Sequence, residues 1–142
     1  VEVKFLEAEA LARTGADAST ALAEAITASM VQAGATDYDA YVTANSDVSG
    51  LSEADAVKKI IEEAYKGYYG FNFFETWSNY RRTGYPEITP NADGSNGFNP
   101  SGVVPQRFIY PSSEQQTNEA NWAAAQAAQG GALLDVPVWA FE

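Results

Sequence analysis

A chain of 142 residues is long enough to bury one hydrophobic core and too short to expect two independent domains. Eight Lys and Arg stand against 19 Asp and Glu, a formal net charge of -11, which argues against nucleic acid as a partner because phosphate backbones are bound through basic side chains. With no Cys and no His, disulfides, thiol nucleophiles, zinc sites of the usual ligands and a Ser-His-Asp triad are excluded, which leaves carboxylate chemistry or none.

Residues 1 to 14 place Phe5, Ala8, Leu11 and Ala12 at helical spacing and stop at Gly15. Val1 opens on this pattern with no cap, no Met and no leader, so the chain reads as the C-terminal portion of a longer polypeptide. Asp17, Ser19 or Thr20 can cap a second helix whose stripe runs through Leu22, Ala25, Ile26, Ser29, Met30 and Ala33 to Gly34. A connection this short makes the two helices antiparallel neighbours, and their Ala-rich faces allow close approach. The hairpin is of the kind that builds tetratricopeptide arrays, although the tetratricopeptide consensus is absent.

Residues 37 to 50 form a connector with a short helix around Tyr38 to Ala44. Ser52 followed by Asp55 resembles a capping box, and Val57, Ile60, Ile61, Ala64 and Tyr68 carry a third amphipathic helix from 52 onward. Gly67 and Gly70 predict a break before the next helix, since each costs up to about 1 kcal/mol in a helix interior. No run approaches the roughly 18 apolar residues that cross a bilayer as a helix.

The chain contains 3 Trp, 8 Tyr and 7 Phe, and half of these aromatics fall in residues 65 to 86, which the sequence therefore marks as the organiser of the core. Phe73, Trp77 and Tyr80 share one helical face, with Glu75, Ser78, Asn79 and Arg82 on the other, so the aromatic face is predicted to be buried. On that reading Trp77→Ala costs about 3 to 5 kcal/mol. The helix stops near residue 83, where Gly84 can turn left-handed and Pro86 cannot continue. Arg81 and Arg82 suit the negative end of the helix dipole, and Arg81 can lay its guanidinium on the Trp77 indole or pair with a carboxylate.

Beyond Pro86 the composition of residues 87 to 106 turns to Pro, Gly and Asn, and regular structure should lapse there. Asn91, Asp93 and Ser95 look like half of a calcium loop, but Gly102 stands where the twelfth-position acid belongs, so no metal is assigned. Residues 103 to 111 have the content of an extended segment, Ser112 and Ser113 can cap one helical turn, and Asn118 can cap a last helix through Trp122 to Ala128. The tail around Val136 to Trp139 is extended and apolar, suited to lie on the body of the protein. The fold class is thus mainly α, with helical hairpins in residues 1–83 and an irregular, loop-rich C-terminal segment, 84–142, packed on them.

Three strings, YRRTGYP at 80–86, VPQRFIYPSSEQQTNEANWAAAQAAQGG at 104–131 and VPVWAFE at the end, resemble the C-terminal hallmark of the SusD/RagB-like outer-membrane lipoproteins of Bacteroidetes. Tyr80, Arg81, Arg82, Gly84, Pro86, Pro105, Arg107, Tyr110, Pro111, Glu114 and Asn118 carry it in order. The opening helices are similar to that family's tetratricopeptide-like helices, whereas residues 36 to 50 show no likeness. Gln106 stands where a second basic residue is common, and Trp139-Ala140 where two tryptophans are frequent.

The resemblance implies one SusD-like domain, of which residues 1–142 are the C-terminal portion. It implies a nutrient-binding lipoprotein, held to the membrane by an N-terminal lipid outside this chain and capping a SusC-like TonB-dependent transporter. The usual cargo is an oligosaccharide; a peptide-binding relative, or a helical-repeat scaffold for protein partners, is the alternative. The motif residues are structural in the family, which moves ligand contact elsewhere. Sugars offer C–H faces to aromatic rings and hydroxyls to amides and carboxylates, and by that chemistry Phe98, flanked by Asn96 and Asn99, and Trp122, beside Asn118 and Asn121, are the candidates. No cofactor and no catalytic residue is expected, because neither Glu62 with Glu63 nor Glu7 with Glu9 has the cross-cleft placement of a glycosidase dyad.

Overall fold

The computed structural model describes residues 1–89, 103–131 and 134–138, and the chain divides into two compact units, Val1–Glu87 and Ile88–Glu142. The described residues are helical, with no strand: α1 Glu2–Arg13, α2 Ser19–Gln32, α3 Asp39–Asn45, α4 Glu53–Tyr68, α5 Phe73–Thr83, α6 Ser112–Thr117 and α7 Glu119–Ala128. The mainly α expectation holds.

In the first unit the Gly15 turn, at φ 75°, folds α2 back on α1, and α4 packs on both. Phe5, Ala8 and Ala12 of α1, Leu22, Ala25 and Ile26 of α2, and Val57, Ile60, Ile61 and Ala64 of α4 form the core. Leu22, Ile26 and Ile60 are its largest fully buried side chains, each contributing about 1.5 to 3 kcal/mol through apolar burial. The Phe5 ring meets Tyr68 edge to face at 5.8 Å between centroids. α4 starts as its capping signal predicts: the Ser52 hydroxyl accepts the Asp55 backbone N–H at 3.1 Å and donates to the Asp55 carboxylate at 2.6 Å.

Three expectations are corrected here. The aromatic stretch is not the core, because within residues 65–86 only Tyr68 joins the core cluster while Tyr69, Phe71, Phe73 and Phe74 are exposed. On α5 the aromatic face is not buried as expected: Phe73 is 72% exposed and Trp77 and Tyr80 are half-buried, while on the other side Asn79 is buried at 9% and Arg82 is exposed. On that side Arg82 donates to Asn79 and to the buried Glu9 carboxylate of α1, which needs a partner for its charge. Gly67, finally, does not break α4 but lies inside it, where a Cβ would stand 3.0 Å from both the Phe5 ring and the Ser29 Cβ. Gly67 is a contact point between helices; the break comes at Gly70, φ 78°. α5 ends where expected, at Gly84 in the left-handed conformation.

In the second unit α6 packs on α7. The Leu134 carbonyl accepts the backbone N–H groups of Gln106 and Arg107, at 2.7 and 3.3 Å, tying the 134–136 segment to the 106–107 segment.

Candidate functional site

Trp122 lies half-buried on α7, and beside it the exposed amides of Asn118 and Asn121 are joined by a 2.6 Å hydrogen bond from Asn121 Nδ2 to Asn118 Oδ1. Asn118 also donates to Glu114 Oε2 at 3.3 Å, so these polar groups hold one another in place. Phe98, with Asn96 and Asn99, lies outside the described residues, as do Asn91, Asp93 and Ser95 and the tail Trp139.

Several residues of the hallmark strings join segments of the chain or bound its helices. Arg82 reaches from α5 to α1 and grips Glu9 with both terminal nitrogens, Nη2 to Oε2 at 2.8 Å, while donating to Asn79 Oδ1 at 2.8 Å. Arg13 Nε donates to the same carboxylate at 2.7 Å. Burial opposes the charge on Glu9, but the hydrogen bonds from Arg82 and Arg13 prevail and hold its carboxyl below the ordinary carboxylate value. The Arg81 guanidinium lies 4.5 Å from the centre of the Trp77 ring, as its spacing predicts. Arg107, buried at 6%, donates to the Gln129 side-chain carbonyl and to the Gly131 backbone carbonyl. Gly84 and Pro111 bound helices, Tyr110 is half-buried, and the Tyr85–Pro86 peptide is cis.

Two of the concave regions in the first unit combine acidic and basic side chains. A groove of about 640 Å³ is lined by Arg13, Ser52, Glu53, Ala54, Val57, Arg82, Thr83 and Tyr85. Its guanidiniums are matched by Glu9 and, at 3.9 Å from Arg13, by Glu53, which leaves it little net charge. The other is a cavity of about 170 Å³ lined by Ile26, Ser29, Met30, Ala33, Tyr41, Glu63, Lys66, Gly67, Tyr69 and Phe71. Here Glu63, buried at 5%, accepts from Tyr41 Oη at 2.8 Å and from Lys66 Nζ at 2.5 Å, and Lys66 also donates to Tyr41 Oη at 3.0 Å. Burial works against the Lys66 charge, yet the hydrogen bonds with Glu63 and Tyr41 hold its ammonium above the ordinary lysine value. Sequence reading missed this group. The spacing of Glu63 and Lys66 on α4 was visible, but nothing local brings Tyr41 to them from 22 residues away. Among the described residues no cluster of acidic side chains could hold a metal ion, and no helix is long and apolar enough to cross a membrane.

The family model described as SusD-like, "Starch-binding associating with outer membrane", matches residues 1–111. The chain belongs to the SusD-like family. No curated protein sequence matches it. Among solved structures, a SusD homolog from Bacteroides fragilis NCTC 9343 is 28% identical with a TM-score of 0.72, the match covering 99% of this chain and 34% of that one. A Bacteroidetes SusD-like protein is 25% identical with a TM-score of 0.77, covering 99% of this chain and 29% of its own. A chitin-binding protein is 30% identical with a TM-score of 0.69, covering 98% and 32%. The SusD-like chain therefore spans about a third of the length of these structures. Within it, the hallmark arginines Arg82 and Arg107 direct their donors to the protein itself, joining segments distant in sequence.

Proposed function

We propose that the intact protein binds oligosaccharide at the cell surface and delivers it to a SusC-like TonB-dependent transporter in the outer membrane, to which an N-terminal lipid keeps it close. The observation that carries this reading is the match of residues 1–111 to a family described as starch-binding and associated with the outer membrane. The chitin-binding protein, 30% identical, supports a glycan as the cargo. In this part of the protein Trp122, beside the Asn121 amide that Asn118 holds in place, is the ligand contact, and Phe98 is the second aromatic to test. The function is capture without turnover. Glycoside hydrolysis needs two carboxyl groups about 5 to 9.5 Å apart across the scissile bond. The buried carboxylates Glu9 and Glu63 are each engaged by cations instead.

Affinity electrophoresis of the intact protein through gels containing soluble glycans tests this assignment. Trp122→Ala and Phe98→Ala should weaken retardation, and Arg81→Ala, which unstacks a cation from Trp77, should lower stability while leaving retardation of the folded protein unchanged. Undiminished retardation of the Trp122→Ala protein would remove that residue from the site.

A further inference from the structure

We propose that the cavity floored by Tyr41, Glu63 and Lys66 and rimmed by Tyr69 and Phe71 is a binding site for a single neutral sugar ring. It lies in the first unit, whereas Trp122 lies in the second, and it does not depend on the role of Trp122.

Size sets the ligand class first. Drug-sized ligands occupy pockets of roughly 300 to 1,000 Å³, so a space of about 170 Å³ admits one ring and not a chain of them. Polarity comes next. Tyr41, Glu63 and Lys66 are fixed by their mutual hydrogen bonds, yet they do not use their full capacity: an ammonium has three donors, of which Glu63 and Tyr41 take two, and each carboxylate oxygen has a second lone pair. A donor beside an acceptor, held a fixed distance apart, is the complement of two neighbouring hydroxyls, one accepting from Lys66 and one donating to Glu63. Because the ammonium and carboxylate neutralise each other, neither an anion nor a cation gains from the pair, and a neutral polyol meets both halves of it.

The rim supplies the rest. Tyr69 and Phe71 line the cavity and stand 80% and 56% exposed in this chain, so other residues of the chain leave their rings open to a ligand. Flat rings above a pair of hydrogen-bonding groups are what the C–H face and hydroxyl edge of a pyranose require. Ser29, also lining the cavity, donates to its own helix at the Ile26 carbonyl and so adds shape more than specificity.

Met30, the chain's one methionine, lines the cavity and gives a reporter. The intact protein, labelled with 13C at methionine methyls, would be titrated with glucose, galactose and N-acetylglucosamine, with glycerol as the acyclic control and Met30→Leu assigning the signal. Saturable movement of the Met30 methyl is expected with at least one hexose, with a dissociation constant on the order of millimolar, and little movement with glycerol. Tyr69→Ala, at an exposed position that leaves the fold alone, should weaken binding about tenfold or more. Lys66→Gln should abolish the shift, and Trp122→Ala should leave it unchanged. A Met30 signal that stays still up to about 100 mM hexose, that moves equally with glycerol, or that titrates identically in Tyr69→Ala overturns the proposal. Hexose binding at Met30 in a protein that binds no oligosaccharide would sink the capture reading and leave this site standing.

Discussion

Glu9 keeps its charge in a buried position because two guanidiniums meet it there, one from its own helix and one from α5, 73 residues further along the chain. Removing Arg82 leaves a half-compensated carboxylate, so Arg82→Ala should cost about 1 to 3 kcal/mol in denaturant melts, the range for a buried polar group that loses its partner. The acid response has a definite sign. Glu9 titrates below 4.5 in the folded protein and near 4.5 once unfolded, so the unfolded chain binds the extra proton between the two values. The contribution is complete above about pH 4.5 and is lost as pH falls through the folded value. Glu9→Gln should therefore flatten the acid limb of a stability-versus-pH curve below about 4.5; an unchanged limb would mean that the pair contributes nothing. Trp77 changes its expected cost for the same structural reason. Half-buried beneath Arg81, it should cost about 1 to 2 kcal/mol on truncation to Ala, while Ile60→Ala, in the fully buried core, should cost about 2 to 5 kcal/mol.

At the scale of helices, what depends on neighbours in sequence was legible and what depends on neighbours in space was not. The Ser52 cap, the Gly84 stop and the break at Gly70 are local devices, and each acts where its residues stand. The two-faced pattern of α5 was read as rings inward because periodicity separates faces without saying which one meets a partner. The partner of Arg82 is Glu9, hidden in an ordinary helical pattern on α1. Gly67 is the second case: by propensity Gly67→Ala should add stability, up to about 1 kcal/mol. Against the Phe5 ring and Ser29 Cβ at 3.0 Å it should instead destabilise by about 1 to 3 kcal/mol in thermal or chemical melts. A more stable alanine variant would show that α4 does not approach α1 and α2 so closely.

For the whole molecule, the strings of residues 80–86 and 104–131 were enough to point to the SusD-like family, and in the structure their Arg107 and Gly84 make a long-range clasp and a helix stop. The ligand site was less legible. Phe98 and Trp122 stand out by their chemistry alone, and no sequence spacing unites residues such as Tyr41, Glu63 and Tyr69, which the fold brings to one cavity. The central claim, oligosaccharide capture without turnover, is tested most directly by titration calorimetry of the intact protein against a panel of glycans and peptides, with product analysis after long incubation. The account predicts heat of binding from at least one oligosaccharide, with a dissociation constant on the order of micromolar to millimolar, and no sugar released. Silence across the glycans with binding of a peptide, or sugar released from a bound glycan, would contradict it.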